Sequence, residues 1–334
     1  MNSSTYPAAQ HVMVLYTGGT IGMQASANGL APASGFEARM RDYLHSQPEL
    51  VVPQWRFREM SPLIDSANMT PAYWQQLREA VVDAVDVQGC DSVLILHGTD
   101  TLAYSAAAMS FQLLGLHARV CFTGSMLPAG APDSDAWDNL AGALAVFADG
   151  VQSGVQLFFA GKLLPGVHAS KLRSEAFDAF AALPRHREGE QAAELPAVLS
   201  YCQPRTEVNL AVLPVYPGVQ AAHVQALLDT GVKGLLLECY GSGTGPSDDE
   251  ALLDVLREAG ERGVLVAAIS QCPEGSVVFD TYAAGSRLRD TGLVSAGGMT
   301  REAALGKLFA LLGAGLDLAT ARHWFGLDMC GERA

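Results

Sequence analysis

Seven short runs of nearly unbroken Val, Leu, Ile and Phe recur along this chain: His11–Tyr16, Ser92–Leu96, Arg119–Phe122, Gln156–Phe159, Leu210–Pro214, Gly234–Glu238 and Val264–Ser270. A strand facing water on one side alternates apolar and polar residues, so continuous runs of this length describe strands covered on both faces. Ala-rich or amphipathic stretches separate them. Thr70-Pro71 supplies an N-cap followed by proline at the first helical position, opening a helix through Ala84. Ser247-Asp248-Asp249-Glu250 has the form of a capping box, and Thr300 begins a helix to about Leu312. Buried strands alternating with helices specify an α/β protein with a mostly parallel sheet and right-handed crossovers.

A length of 334 residues suits two domains. The stretch Pro184–Arg205 gathers Pro, Glu, Arg and Gln before strand–helix alternation resumes, and marks the interdomain linker. The expected division is a domain over 1–190, a linker over 191–209 and a second domain over 210–334. No repeat of 20–50 residues is visible.

Composition narrows the function. Lys and Arg total 21 and Asp and Glu 35, a formal charge of −14. A nucleic-acid partner is disfavoured, because phosphate neutralisation needs a basic face. Only 17% of residues are charged and 49% are hydrophobic, which argues against disorder and points to surface buried in an oligomer. The first ten residues carry no Lys or Arg and no apolar run, unlike a secretory signal. The uncharged stretch Thr101–Ala118 holds Thr, Ser, Gln and Gly and reads as a buried helix, not a membrane span. The cysteines (90, 121, 202, 239, 272, 330) form no CxxC pair, so neither a zinc ribbon nor a dithiol centre is indicated. Most lie in apolar runs, as buried free thiols do, and a reducing cytoplasm suits them.

Sites of parallel sheets gather at the carboxyl ends of strands. The first strand leads into Thr17-Gly18-Gly19-Thr20-Ile21-Gly22, whose glycines permit a tight turn and a close ligand. Its spacing is not that of a dinucleotide fingerprint, and a plain strand-to-helix turn explains it about as well. The second leads into His97-Gly98-Thr99-Asp100-Thr101. Asp100 or Thr101 as a helix N-cap accounts for one of these polar residues, while Thr99 and Asp100 together exceed what a cap requires. Thr123-Gly124-Ser125 repeats the pattern. Three strand-end turns of this kind suit one pocket for a small polar ligand. Gly241-Ser-Gly-Thr-Gly245 is a further Gly-rich turn, able to seat an anion at a helix N-terminus but weak by itself. No phosphate loop, HExxH or GxSxG elbow occurs, and the histidines lack ligand spacing.

These turns together resemble the bacterial L-asparaginase family, in particular its cytoplasmic branch. The matching words are Tyr16-Thr-Gly-Gly-Thr-Ile-Gly-Met23, Leu63-Ile-Asp-Ser-Ala-Asn-Met69, Leu96-His-Gly-Thr-Asp-Thr101, Thr123-Gly-Ser125, Ala169-Ser-Lys171, Phe177-Asp-Ala-Phe180 and Met299-Thr-Arg-Glu302. The resemblance implies a larger N-terminal Rossmann/flavodoxin-like domain and a smaller C-terminal α/β domain. It implies a homo-oligomer, dimer or tetramer, with active sites completed by a neighbour. The implied reaction is hydrolysis of L-asparagine to aspartate and ammonia, with no cofactor and no metal. Thr20 is then the nucleophile, and Thr99, Asp100 and Lys171 complete the catalytic set. Asp65, Ser66, Thr99, Asp100 and Ser125 bind substrate. A threonine hydroxyl needs a base or an oriented, desolvated setting. Lys171 is that base, directly or through Thr99, if it can act as the free amine; burial favours this and Asp100 opposes it.

Several positions depart from the family pattern, among them Ala67-Asn68, which replaces a more polar pair. Leu30 stands where the family often carries a loop tyrosine contacting the nucleophile, and Ala25–Gly35 holds none. Glu238 and Thr244 replace an arginine of an allosteric asparagine site and an asparagine reaching the neighbouring active site, whereas Gln271 and Cys272 match. Allosteric activation is therefore expected to be weak or absent. A non-catalytic amino-acid-binding or regulatory protein on the same fold is the alternative. A tRNA amidotransferase relative is disfavoured by the charge and by the lack of an added N-terminal domain.

Overall fold

The structure, a computed structural model, describes residues 7–26 and 29–333. The reading of the extreme N-terminus as no secretory signal falls partly on residues 1–6, outside this range, as do 27 and 28 within the Ala25–Gly35 loop. Two compact units divide at Ala182/Leu183.

In the first unit, β1 (His11–Gly18) is followed by a hairpin of β2 (Gln24–Ser26) and β3 (Gly29–Ala31), helix α1 (Phe36–Ser46) and β4 (Gln54–Ile64). Helix α2 (Pro71–Val82) leads to β5 (Ser92–Leu96), α3 (Leu102–Gln112), β6 (Arg119–Thr123) and α4 (Ala136–Asp149). The unit closes with β7 (Gly154–Phe159), β8 (Lys162–Pro165), β9 (Ala169–Lys171) and β10 (Phe180–Ala182). The main sheet has the order β4-β1-β5-β6-β7-β8, parallel except for β8. The chain builds outward from β1 to β4, then crosses back to β5 on the other side of β1. This flavodoxin-like order sets the topological switch point between β1 and β5, and ligand sites of such sheets lie outside the strand ends at that point.

Strands β1 and β5 are buried almost throughout, as their unbroken apolar runs require. Strand β4 was not among those runs. It lies at the sheet edge, where about half of its positions face solvent, among them the charged Arg56, Arg58 and Glu59. Charge on an edge strand also discourages pairing with another chain. The Thr70 hydroxyl caps α2 by accepting from Tyr73 N at 3.2 Å. The helix ends at Val82, two residues short of the expected Ala84, in a wider turn over Asp83–Val87.

The second unit contains β11 (Leu210–Pro214), α5 (Ala221–Asp229), β12 (Gly234–Cys239), α6 (Glu250–Glu261) and β13 (Leu265–Ser270). It ends with α7 (Ala283–Arg289), β14 (Val294–Ser295), α8 (Arg301–Gly313) and α9 (Leu318–Gly326). Its sheet, β11-β12-β13-β14, is wholly parallel. The polar stretch from Pro184 is built into this unit: Arg185 bridges Gly275 and Gln191 bridges Asp328. The expected capping box resolves differently. Asp249, not Ser247, caps α6 by accepting from Leu252 N at 3.1 Å. The Gly241–Gly245 turn closes on itself through Tyr240 and Thr244 and ends before the cap, so it does not form the N-terminus of α6. Thr300 caps α8 as expected, accepting from Ala303 N at 3.0 Å. Cys90, Cys121 and Cys239 are buried; Cys202, Cys272 and Cys330 are exposed, so burial holds for half of the cysteines. Among the described residues no helix is long and apolar enough to cross a membrane.

Candidate active site

Four strand-end loops of the first unit touch through glycines. Gly19 has φ 77°, a conformation glycine adopts without strain, and a Cβ there would lie 2.3 Å from Gly98 N. A Cβ on Gly98 would meet Ser66 Oγ at 2.5 Å, and one on Gly124 would meet the His97 carbonyl oxygen at 2.2 Å. Backbone bonds reinforce the assembly: Gly19 N donates to Ile64 O at 3.0 Å and His97 N to Thr123 O at 2.9 Å. Thr20, Ser66, Thr99 and Ser125 are thus carried on loops that cannot separate without breaking these contacts.

Thr20 opens a short 3-10 turn (Thr20–Gly22) after β1 and is half-buried. Its hydroxyl has no hydrogen-bond partner among the described residues. Across the switch point, Lys171 Nζ donates to Thr99 Oγ1 at 2.9 Å and to Asp100 Oδ1 at 2.7 Å. The side chain of Lys171 is 20% exposed and that of Asp100 62%. Lys171 reaches them from β9, more than seventy residues away in sequence. Ser66 is 2% exposed, and its backbone carbonyl accepts from Thr101 Oγ1 at 2.8 Å. Thr101 takes the N-cap position of α3, but its hydroxyl does not cap the helix: it ties the β5 loop to the β4 loop, while Asp100 holds Lys171. Asp65 instead caps the turn Ser66–Asn68, accepting from Ala67 N at 3.2 Å.

Ser125 is fully buried and its hydroxyl donates to Leu127 O at 2.5 Å, so this side chain is committed to its own loop. That loop is held by two residues not singled out from sequence. The Asp135 carboxylate accepts from Met126 N, Leu127 N and Asn139 Nδ2 within 2.9–3.1 Å. Asn139 Nδ2 also donates to Gly124 O at 3.0 Å, and its Oδ1 accepts from Ala160 N at 2.8 Å. Tyr16 is turned away from Thr20: its hydroxyl donates to Ala33 O at 3.1 Å, and burial pushes the phenol up to about 12. Leu30 lies 55% exposed on the β2–β3 hairpin.

His97 is completely buried, with Nδ1 2.7 Å from Gly98 O and Nε2 2.9 Å from Ser105 Oγ. Burial pushes its imidazole down to about 4. The unfolded chain takes up this proton near 6.5, whereas the fold resists it until about 4. Protons therefore favour the unfolded state in that interval. The stabilisation is complete above pH 6.5 and is lost as pH falls to 4, a change of about 3 kcal/mol. Urea unfolding across this range measures it; in His97→Asn the loss should be smaller by about that amount.

In the second unit, Glu238 is 3% exposed and paired with Arg301, whose Nη2 donates to Oε2 at 2.9 Å. The Gln271 amide donates to Val215 O and Glu238 O at 2.5 and 2.6 Å.

A flavodoxin-order sheet with a hydroxyl, an amine and a carboxylate gathered at its switch point, followed by a second parallel α/β unit, defines a class of two-unit α/β proteins built around a small polar site. Residues 11–195 match the family model described as asparaginase, N-terminal, and residues 209–325 that described as glutaminase/asparaginase C-terminal domain. The chain belongs to the asparaginase family. It is 37% identical to L-asparaginase 1 of Escherichia coli K12, over 96% of this chain and 97% of that one. The crystal structure of L-asparaginase I from Vibrio cholerae superposes with a TM-score of 0.84 at 35% identity, covering 98% of this chain and 100% of that chain. The thermostable L-asparaginase of Thermococcus kodakarensis gives 0.84 at 30% identity, covering 97% and 99%.

Proposed function

We propose that this chain hydrolyses the side-chain amide of L-asparagine to aspartate and ammonia through a Thr20 acyl-enzyme. The observation that carries the reading is the convergence of Lys171 on Thr99 and Asp100 beside the loop that presents Thr20. The Thr20 oxygen bonds to the amide carbon, its proton passes to the Thr99–Lys171 pair and then to the leaving nitrogen, and the C–N bond breaks to release ammonia. Water then attacks the ester, freeing aspartate and restoring the hydroxyl. The exposed side of Asp100 receives the α-ammonium, and Ser66 with nearby backbone N–H groups receives the α-carboxylate; Asp65 shapes this segment through its cap. In this reading backbone N–H groups near Thr20 or Ser125 stabilise the tetrahedral oxyanion.

This reading includes a cytoplasmic homo-oligomer. Ammonia release from L-asparagine, L-glutamine and their D-isomers tests it: turnover of L-asparagine above the others supports it, and binding without turnover leaves a regulatory protein instead. A second result is expected from the same assay. With Glu238 neutralised by Arg301 and the Gln271 amide already bonded, the rate should rise hyperbolically with asparagine. Marked sigmoidality would contradict that.

A further inference from the structure

The buried groups behind the Thr99–Asp100 loop have only one consistent arrangement of protons. The Gly98 carbonyl can only accept, so His97 Nδ1 at 2.7 Å carries the proton between them. In the neutral ring Nε2 is then an acceptor, and Ser105 Oγ, 2.9 Å away, donates to it. With its own proton so committed, Ser105 Oγ accepts from Trp74 Nε1 at 2.9 Å. Trp74, Ser105 and His97 thus form a chain of donors ending on the Gly98 carbonyl. Phe122 packs edge-on to the imidazole with ring centroids 5.9 Å apart, which fixes the ring plane.

This chain controls more than one oxygen. In a planar trans peptide, the carbonyl of residue 98 and the N–H of residue 99 point in opposite directions. Holding the Gly98 oxygen against a fully buried ring therefore turns the Thr99 N–H away from that ring. Thr99 is only 7% exposed, yet its N–H has no partner among the described residues. An unpartnered peptide N–H in a residue this buried is uncommon in a folded protein, and suits a donor kept for a ligand.

We propose that His97 is a positioning residue, which orients the Gly98–Thr99 peptide so that the Thr99 N–H is presented to the substrate. This rests on the reading of this strand end as the active site. His97 touches neither substrate nor reacting atoms and acts only through the peptide.

The test compares His97→Asn with His97→Leu by kcat, KM and melting temperature. Asparagine offers an amide N–H near the place of Nδ1; leucine offers none. The Asn variant should keep kcat/KM within about threefold of the parent, and the Leu variant should lose roughly 10²-fold, chiefly in kcat, because a misaimed donor costs most in the transition state. Both lose the Ser105 bond, so their melting temperatures should fall together while their activities diverge. A folded Leu variant with parental kcat/KM, or an Asn variant as impaired as the Leu variant, overturns the proposal. If the Leu variant does not fold, Ser105→Ala takes its place: about tenfold lower kcat/KM is expected, restored in Ser105→Thr, and an unchanged Ser105→Ala overturns the idea. Failure of the functional reading looks different, because the parent itself would release no ammonia from asparagine. Aspartate affinity by calorimetry then reads the Thr99 N–H: at least tenfold weaker binding in the Leu variant supports positioning, and a parent that binds no aspartate overturns both.

Discussion

Thr20→Ala should lower ammonia release from asparagine by roughly 10⁴-fold or more, the scale on which removal of an acyl-enzyme nucleophile is felt. The fold should not notice. Thr20 is half-buried and its hydroxyl bonds to nothing among the described residues, while the turn is set by backbone bonds, Gly22 N to Gly19 O at 3.2 Å and Met23 N to Thr20 O at 3.1 Å. An unchanged melting curve with activity abolished is therefore the expected pair of results, measured by coupled ammonia assay and calorimetric melting. Aspartate should still bind, because the groups assigned to the α-ammonium and α-carboxylate lie on other loops. Retained turnover would remove Thr20 from the mechanism. Parental protein that binds aspartate without turnover would favour the regulatory alternative, which the leucine at position 30 invites. The Thr20→Ser variant keeps the hydroxyl and should recover part of the rate.

The framework of both sheets was legible because their central strands are buried on both faces and leave unbroken apolar runs. Strand β4 escaped because an edge strand meets water along one side and mixes Arg56, Arg58 and Glu59 with apolar residues. The turns bearing Thr20 and Thr99 could be found because glycines cluster where backbones must approach within van der Waals contact, as Gly19 and Gly98 do. The roles proposed for them rest on family resemblance, not on spacing. What sequence hid was the support. Ser105 and Asn139 sit in apolar helices where single polar residues carry no periodic signal, and their partners Trp74 and Ala160 are 31 and 21 residues away. Thr101 looked like a cap because it precedes a helix, but its hydroxyl found a stronger claim in the Ser66 carbonyl. The same competition between local and distant acceptors moved the α6 cap from Ser247 to Asp249.

Lys307→Met should destabilise the second unit by about 3–5 kcal/mol, the cost of leaving a buried charge without its counter-ion. Lys307 and Glu332 form an ion pair with both side chains 0% exposed. Lys307 Nζ also donates to Leu327 O, and Glu332 accepts from Met329 N at 3.0 Å and Cys330 N at 2.8 Å. The pair fastens the C-terminal segment, which in turn holds the stretch after Pro184: Asp328 N donates to Glu190 O, and Gly189 N to Arg333 O, each at 2.7 Å. Burial disfavours the Glu332 carboxylate, but Lys307 and the backbone donors outweigh it and hold the group below its ordinary value. Its contribution is present at neutral pH and is lost as pH falls through that lowered value. In Lys307→Met the balance reverses, because burial without the ammonium raises the carboxyl, and protonation then relieves the fold. The gap in stability between parent and variant should therefore be widest at neutral pH and narrow on acidification. Denaturant titrations at several pH values measure it. Hydrogen exchange at Gly189 and Asp328 locates it: if the pair is the fastener, these amides lose protection before the β12 and β13 amides do. A gap that stays constant with pH would mean that Lys307 stabilises the unit through its aliphatic packing alone.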